Sequence, residues 1–389
     1  MLVTLLKPHA VPFRTLQARY GGLLELVRTL IGVVPNCDPY LEMWPPAFRA
    51  YNVMVPNFLN LPLLIWGLGA PKDVLGLAMY ASSRTARCAY CAAHTCSFAL
   101  RRGATAEKVA HALDEDLSGH SPAERAAIGV ARAMSSVPAE LTAIHRDELA
   151  ARFSKADAEW IVLGVAMMGF LNKFMDALGV ELEEVTAGEV RGVIAPSGWS
   201  PGKHFTGALP HGAPPRSDGA MTKLGVVRHA PGALSLDRQW TAGVPGAWPA
   251  VGQYLQQRTG HDFPVLGRLR HKRAVRALAT MLRDNLDAGA SVISIPRKLA
   301  AAIAFTRVVG NPELEAELGR LGPVEKDAAV DALAQAIATS PARVDAVVVD
   351  RCRGLPPVAI VEVVTFVSLM QLVHRLETYY PASGRQSST

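Results

Sequence analysis

The sequence predicts an all-α protein. Three observations carry the prediction. Apolar residues make up 50% of the chain while aromatics are only 6%, with Ala, Leu and Val dominant. Ser121-Pro-Ala-Glu124 forms a capping box with Pro at the first helical position, followed by Ala127, Ala131 and Met134 at helical spacing. Apolar windows at Trp160–Leu171 and Val358–Val373 read as buried helices, being shorter than a membrane span or interrupted by Glu362, Thr365 and Gln371.

The elements follow in chain order. The N-terminal run Met-Leu-Val-Thr-Leu-Leu lacks a basic flank and a small-residue cleavage site, so it makes a poor secretion signal. Arg87 to Arg102 is predicted as a helix, and Thr105 with Glu107 starts the next. Ser154-Lys-Ala-Asp157 caps the apolar helix that begins near Trp160. Arg268 to Arg276 is the main basic run and is expected to form a solvated helix face.

Sliding the chain on itself by 201 positions places Pro122 on Pro323, Glu124 on Glu325, Ala131 on Ala332, Arg152 on Arg353, Val162 on Val363 and Leu171 on Leu372. Upstream, Pro71-Lys-Asp-Val-Leu resembles Pro296-Arg-Lys-Leu-Ala, and Gly103 resembles Gly310. Those shifts differ in size, so the second copy lacks the stretch around Cys88. The expected organisation is a helical domain over 1–185, a Gly/Pro-rich interdomain segment over 186–249, a degenerate second helical repeat over 250–382 and a flexible tail over 383–389. The aromatics Trp199, Phe205, Trp240 and Trp248 favour partial order in the interdomain segment.

A formal charge of +6 over 389 residues is a mildly basic surface rather than a nucleic-acid footprint, so no nucleic-acid partner is expected, and no membrane. The five cysteines, three of them clustered, do not look like a secreted disulfide framework and fit a reducing cytoplasm, giving an expected cytoplasmic location. No Gly-rich phosphate loop in a strand-to-helix setting occurs, so no bound nucleotide is inferred, and neither flavin nor metal is demanded.

The chemistry concentrates in Cys88-Ala-Tyr-Cys91-Ala-Ala-His94-Thr-Cys96. On a helix, Cys88 and Cys91 stand one turn apart, within reach of a reversible bridge. A helix N-terminus, with Arg84 and Arg87 nearby, stabilises a thiolate. His94, one turn past Cys91, is placed to take or return the thiol proton. Two other readings stand beside this one: a zinc site, disfavoured because no second ligand pair exists, and buried cysteines acting as small hydrophobes. Cys37, Cys96 and Cys352 fit the hydrophobic reading, although Cys37 or Cys96 could serve as a resolving thiol.

The segment Cys88-Xaa-Tyr-Cys91-Xaa-Xaa-His94, followed by Ala99 and Gly103, resembles the signature of the carboxymuconolactone decarboxylase/alkylhydroperoxidase D superfamily, with the likeness strongest over Pro56 to Gly179. The resemblance implies helical units that associate as homo-oligomers, and for this chain two tandem units forming a pseudo-dimer. It implies a thiol peroxidase or disulfide-exchange activity in which Cys91 attacks, Cys88 resolves and an unknown thiol reductant resets the pair. The small-molecule substrate would be a hydroperoxide or a dithiol. Where the family places a relay Glu, twelve residues before the first Cys, this chain has Gly76; Asp73, one turn earlier, is the candidate substitute, and His111, His120 and Glu124 are more remote ones. A decarboxylase-like lyase or isomerase using His94 is the alternative activity, and a non-catalytic helical assembly protein is the third reading.

Overall fold

The computed structural model describes residues 1–381, and the regular structure of these residues is entirely helical. The tail expected over 383–389 lies outside the described residues.

Four helices open the chain: α1 (Val3–Leu6), α2 (Phe13–Ile31), α3 (Asp38–Leu41) and α4 (Pro45–Phe58). α2 bends where Tyr20 leaves helical geometry (φ −130°, ψ 21°) ahead of Gly21 and Gly22. α5 (Lys72–Thr85) and α6 (Ala89–Arg101) pack on each other across a short link in which Arg87 takes a left-handed φ of 56°. The helix predicted from Arg87 therefore starts two residues later, with Cys88 as its N-cap. α7 (Ala106–His111), α8 (Pro122–Ser135), α9 (Ala143–Ala150) and α10 (Lys155–Leu178) follow. The caps read from the sequence form as expected. Ser121 accepts from the Glu124 N–H while the Glu124 carboxylate accepts from the Ser121 N–H, and Thr105 and Ser154 cap α7 and α10 through their hydroxyls.

The segment 186–249 is more ordered than its Gly and Pro content suggests. Most of α11 (Glu184–Ile194) and all of α12 (Ala220–Trp240) fall within it. α12 packs on α2 at close range: a Cβ on Gly22 would come 3.7 Å from the Gly232 Cα, and one on Gly225 would come 2.7 Å from Thr29 Cγ2. These glycines remove side chains where two helices cross. Between the two helices, the Trp199 indole donates to the Ala89 carbonyl (3.0 Å) and the buried His204 ring bonds the Val180 carbonyl (2.6 Å).

The remaining helices are α13 (Ala250–Thr259), α14 (Lys272–Asn285), α15 (Ile295–Val309), α16 (Pro312–Arg320), α17 (Ala328–Ala338), α18 (Ala346–Cys352) and α19 (Pro357–Tyr379). The central contact is α10 against α19, flanked by α4 on α14, α5 on α8 and α15 on α17. Pro323 and Glu325 precede α17 instead of opening it, because the Asp327 carboxylate caps that helix by accepting from the Ala329 and Val330 N–H groups. Two similar backbone bonds stand 203 positions apart, in the turns after α8 and α17: Glu140 donates to the Ala133 carbonyl and Arg343 to that of Ala336.

α10 and α19 are longer than the sequence windows suggested, at 24 and 23 residues, and by length and composition each could cross a bilayer. Their most apolar windows are 94% and 89% buried inside the protein, so the residues that would face lipid face other helices. Ile161, Val162, Leu163 and Val165 are fully buried, each contributing roughly 1.5–3 kcal/mol. The basic run is a solvated face only in part: Arg270, Lys272 and Arg276 are exposed, and some of its members are engaged by the protein. Arg273 donates to Asn57 Oδ1 (3.0 Å) and the Leu61 carbonyl (2.6 Å), Arg276 to the Val244 carbonyl (3.2 Å), and His271 stacks on Trp160 with ring centroids 3.6 Å apart.

Candidate active site

Because Cys88 is an N-cap in extended conformation (φ −87°, ψ 101°), its sulfur turns back over the first turn of α6 and accepts the Cys91 N–H at 3.3 Å. Cys91 and His94 lie three residues apart on one face of α6, and both line a cavity of about 140 Å³. Of the Cys88–Cys91 pair, Cys91 therefore lines the cavity, and Cys88, 1% exposed, does not. All five cysteines are free and buried.

The thiol is less acidic than the helix terminus alone suggested. Burial pushes Cys91 well above the ordinary thiol range, and its contacts with Cys88 push in the same direction. Arg84, expected to supply positive charge, is engaged by the Tyr80 hydroxyl (2.7 Å) and by Ser197. A different cation lies within electrostatic reach. Arg375 of α19 is 1% exposed and donates to Ser82 Oγ (2.9 Å) and the Val165 carbonyl (2.6 Å). Burial lowers its pKa to about 9, while Cys91 opposes that shift.

His94 Nε2 meets Glu183 Oε2 at 2.7 Å. The other Glu183 oxygen accepts from the Tyr90 hydroxyl (2.9 Å) and the Asn36 N–H (2.6 Å). Burial by itself would raise the Glu183 pKa, but the His94 ring and the Asn36 amide outweigh it and hold the carboxyl below its usual range. Glu183 is thus an ionised partner that orients the imidazole. It also lines a separate, more polar surface depression with Arg14, Arg28 and Asn36. Asp38, 1% exposed, lies close enough that burial first and Glu183 second push it up to about 8.

Of the four site residues expected from sequence, Cys88, Cys91 and His94 come together and Asp73 does not join them. Asp73 stands half-buried in the first turn of α5, away from the cavity lining. Gly76 cannot be replaced by a carboxylate where it stands, since a Cβ there would come 2.7 Å from the Ala99 Cα, inside the α5–α6 contact. The carboxylate that meets His94 is that of Glu183, 89 positions later in the chain. No spacing motif marked it. His111 pairs with Asp114 on the surface, His120 bonds the Lys108 carbonyl, and Glu124 is occupied by its cap and by Lys108 (2.8 Å). Cys37, read as a core residue, also lines the cavity.

The cavity wall is mostly apolar. Leu23, Leu26 and Leu30 of α2 and Ala230 and Leu234 of α12 form one side, and Met167, Met168 and Met175 of α10 form another. Among the described residues, no group of three or more His, Cys, Asp or Glu is arranged to hold a metal ion.

Residues 64–133, from the turn before α5 to the last turns of α8, match the family model described as the carboxymuconolactone decarboxylase family. Over that segment, under a fifth of the chain, the protein is similar to this family. Among solved structures, the apo form of the debrominase Bmp8 is similar at 27% identity, with a TM-score of 0.39, over 45% of this chain and 90% of that one. No curated protein matches. The matched segment contains Cys88, Cys91, Cys96 and His94, while Glu183, Cys37 and Arg375 come from outside it.

Proposed function

We propose that the protein is a thiol-dependent oxidoreductase that reduces organic hydroperoxides in the cytoplasm, with an unidentified dithiol as reductant. The observation behind this reading is that Cys91 and His94 face one cavity, with His94 held by Glu183 at 2.7 Å and the Cys88 sulfur bonded to the Cys91 amide. The resting thiol is protonated because it is buried, so its reaction depends on proton removal by His94 as substrate enters. The Cys91 sulfur attacks the terminal peroxide oxygen, the O–O bond breaks, and the departing alkoxide takes a proton from the imidazolium. The products are an alcohol and a Cys91 sulfenic acid. Cys88 then attacks that sulfur, water leaves, and a Cys88–Cys91 disulfide forms. The external dithiol reduces it by exchange.

The same reading treats residues 250–382 as a degenerate second unit that completes a pseudo-dimer with 1–185, and expects assembly into homo-oligomers. The helix pairs α5–α8 and α15–α17, and the contact between α10 and α19, support it.

The test is mass spectrometry of thiols before and after tert-butyl hydroperoxide. Wild type is expected to lose two of its five thiols as a Cys88–Cys91 disulfide. Cys88→Ser should accumulate a sulfenic acid trapped by dimedone at Cys91, and Cys91→Ser should retain its four remaining thiols. Full peroxidase turnover by both variants would overturn the proposal. The raised Cys91 pKa and the His94–Glu183 pair favour one second reading, acid–base chemistry of the lyase or isomerase type. In that case His94→Gln abolishes activity and thiol alkylation leaves it intact.

A further inference from the structure

The catalytic cavity lies next to a second chamber. Pro62, Leu234, Asp237 and Arg273 line both, so the inner space of about 140 Å³ and an outer space of about 310 Å³ adjoin at these residues. The two differ in chemistry. The inner chamber is walled by leucine, methionine and alanine and has Cys91 and His94 in its lining. The outer one adds Arg238 and Arg276, so three guanidinium groups surround a single carboxylate, Asp237, which already accepts from Asn57 Nδ2 at 2.7 Å. Arg273 is spent on backbone carbonyls and asparagines where the two spaces adjoin. Arg276 commits its Nε to the Val244 carbonyl, and Arg238 is exposed.

An apolar cavity of roughly 150 Å³ accepts a benzene-sized body and stays dry without one. A surplus of guanidinium groups at its mouth favours an anion, with bidentate geometry for a carboxylate. We propose that the substrate is an amphiphile: an apolar body of about six carbons in the inner chamber, an anionic head between Arg238 and Arg276, and the reducible group on the apolar end beside Cys91. This rests on the oxidoreductase reading for the reaction, while the binding claim stands on the two chambers alone. A medium-chain alkanoate with a hydroperoxide far from its carboxylate meets these conditions. Hydrogen peroxide and short polar hydroperoxides lack the apolar contact, and a neutral ester lacks the head.

The experiment measures equilibrium binding of unreactive probes, by calorimetry on the full chain at low salt. Butanoate, hexanoate and octanoate are compared with methyl octanoate. Affinity is expected to rise roughly fourfold per methylene up to octanoate. The Arg238→Gln/Arg276→Gln double variant should bind octanoate roughly tenfold more weakly and the ester unchanged. Val27→Trp, which fills the inner chamber from α2, should abolish octanoate binding while leaving the circular dichroism spectrum intact. Cys91→Ser should still bind octanoate, which separates this proposal from the redox one: lost turnover with retained binding supports it even if peroxide proves not to be the oxidant. Equal affinity for butanoate and octanoate, a carboxylate preference that survives the double variant, or no binding by wild type would overturn it.

Discussion

Glu159 on α10 and Glu362 on α19 stand 203 positions apart and perform the same structural task. The Glu159 carboxylate accepts the N–H groups of Arg270 and His271 ahead of α14, and Glu362 accepts those of Val292 and Ile293 ahead of α15. Their surroundings then diverge. Glu362 is fully buried against Lys298 at 2.8 Å, with that ammonium 5.5 Å from the Trp44 and Phe366 rings, whereas the region of Glu159 pairs with backbone and the stacked His271. Between α15 and α17 the chain holds only the nine-residue α16, where the other half of the molecule has α6 and α7 between α5 and α8. One half spends its buried charge on a closed ion pair. The other leaves its polar groups facing a cavity. The framework of long helices with buried glutamates carries both, and the two regions differ in what is inserted between the helices.

That comparison can be broken at four points. Lys298→Met leaves Glu362 buried without its cation and should cost about 3–5 kcal/mol by urea titration, with Glu362→Gln in the same background recovering part of it. Retained stability in the single variant would mean the closed pair is not what holds that half. In the other half, Glu183→Gln should keep the fold but lower kcat about 100-fold, the effect of losing the group that orients a general base. Gly76→Ala brings a methyl group against the Ala99 backbone and should cost about 1–3 kcal/mol in a thermal melt, with turnover of the folded fraction reduced as α6 shifts.

The fourth point concerns pH, where the effect is gradual and spread over several units. Asp38 is pushed up to about 8 in the folded protein, far above its unfolded value of about 4. Between those values the native state holds a proton that the unfolded chain has released. Stability should therefore fall as pH rises, by up to about 1.4 kcal/mol per unit. Asp38→Asn should flatten that slope between pH 5.5 and 8, as read from urea midpoints at fixed pH; an unchanged slope would place the proton elsewhere.

Much of the framework was legible because it is written locally. Ser121, Thr105 and Ser154 announce α8, α7 and α10 within a few residues of the helices they cap, and the Cys88–Cys91–His94 spacing places all three at the start of one helix. The start of α17 was misplaced, because Asp327 rather than Pro323 caps it and alanine-rich helices align almost as well at neighbouring offsets. The rest depended on contacts distant in sequence. Nothing near Glu183 distinguishes it from Glu181 or Glu184; only the fold brings it to His94. α12 was hidden because Gly225, Pro231 and Gly232 read as a linker, yet two of these residues let it cross α2 closely enough to roof the cavity. The acidity of the thiol was misread for the same reason, since a sequence shows a helix N-terminus but not the desolvation around it.

The roof has a consequence for how the protein matures. Cys91 and His94 leave the ribosome long before α12 and Arg273, which complete the wall in front of them, and before Arg375, which lies behind. Of the residues that line the pocket, Arg273 alone belongs to the last third of the polypeptide, so a fragment that ends after α12 contains nearly the whole wall, whereas one that ends before α12 contains Cys91 and His94 without that side of it.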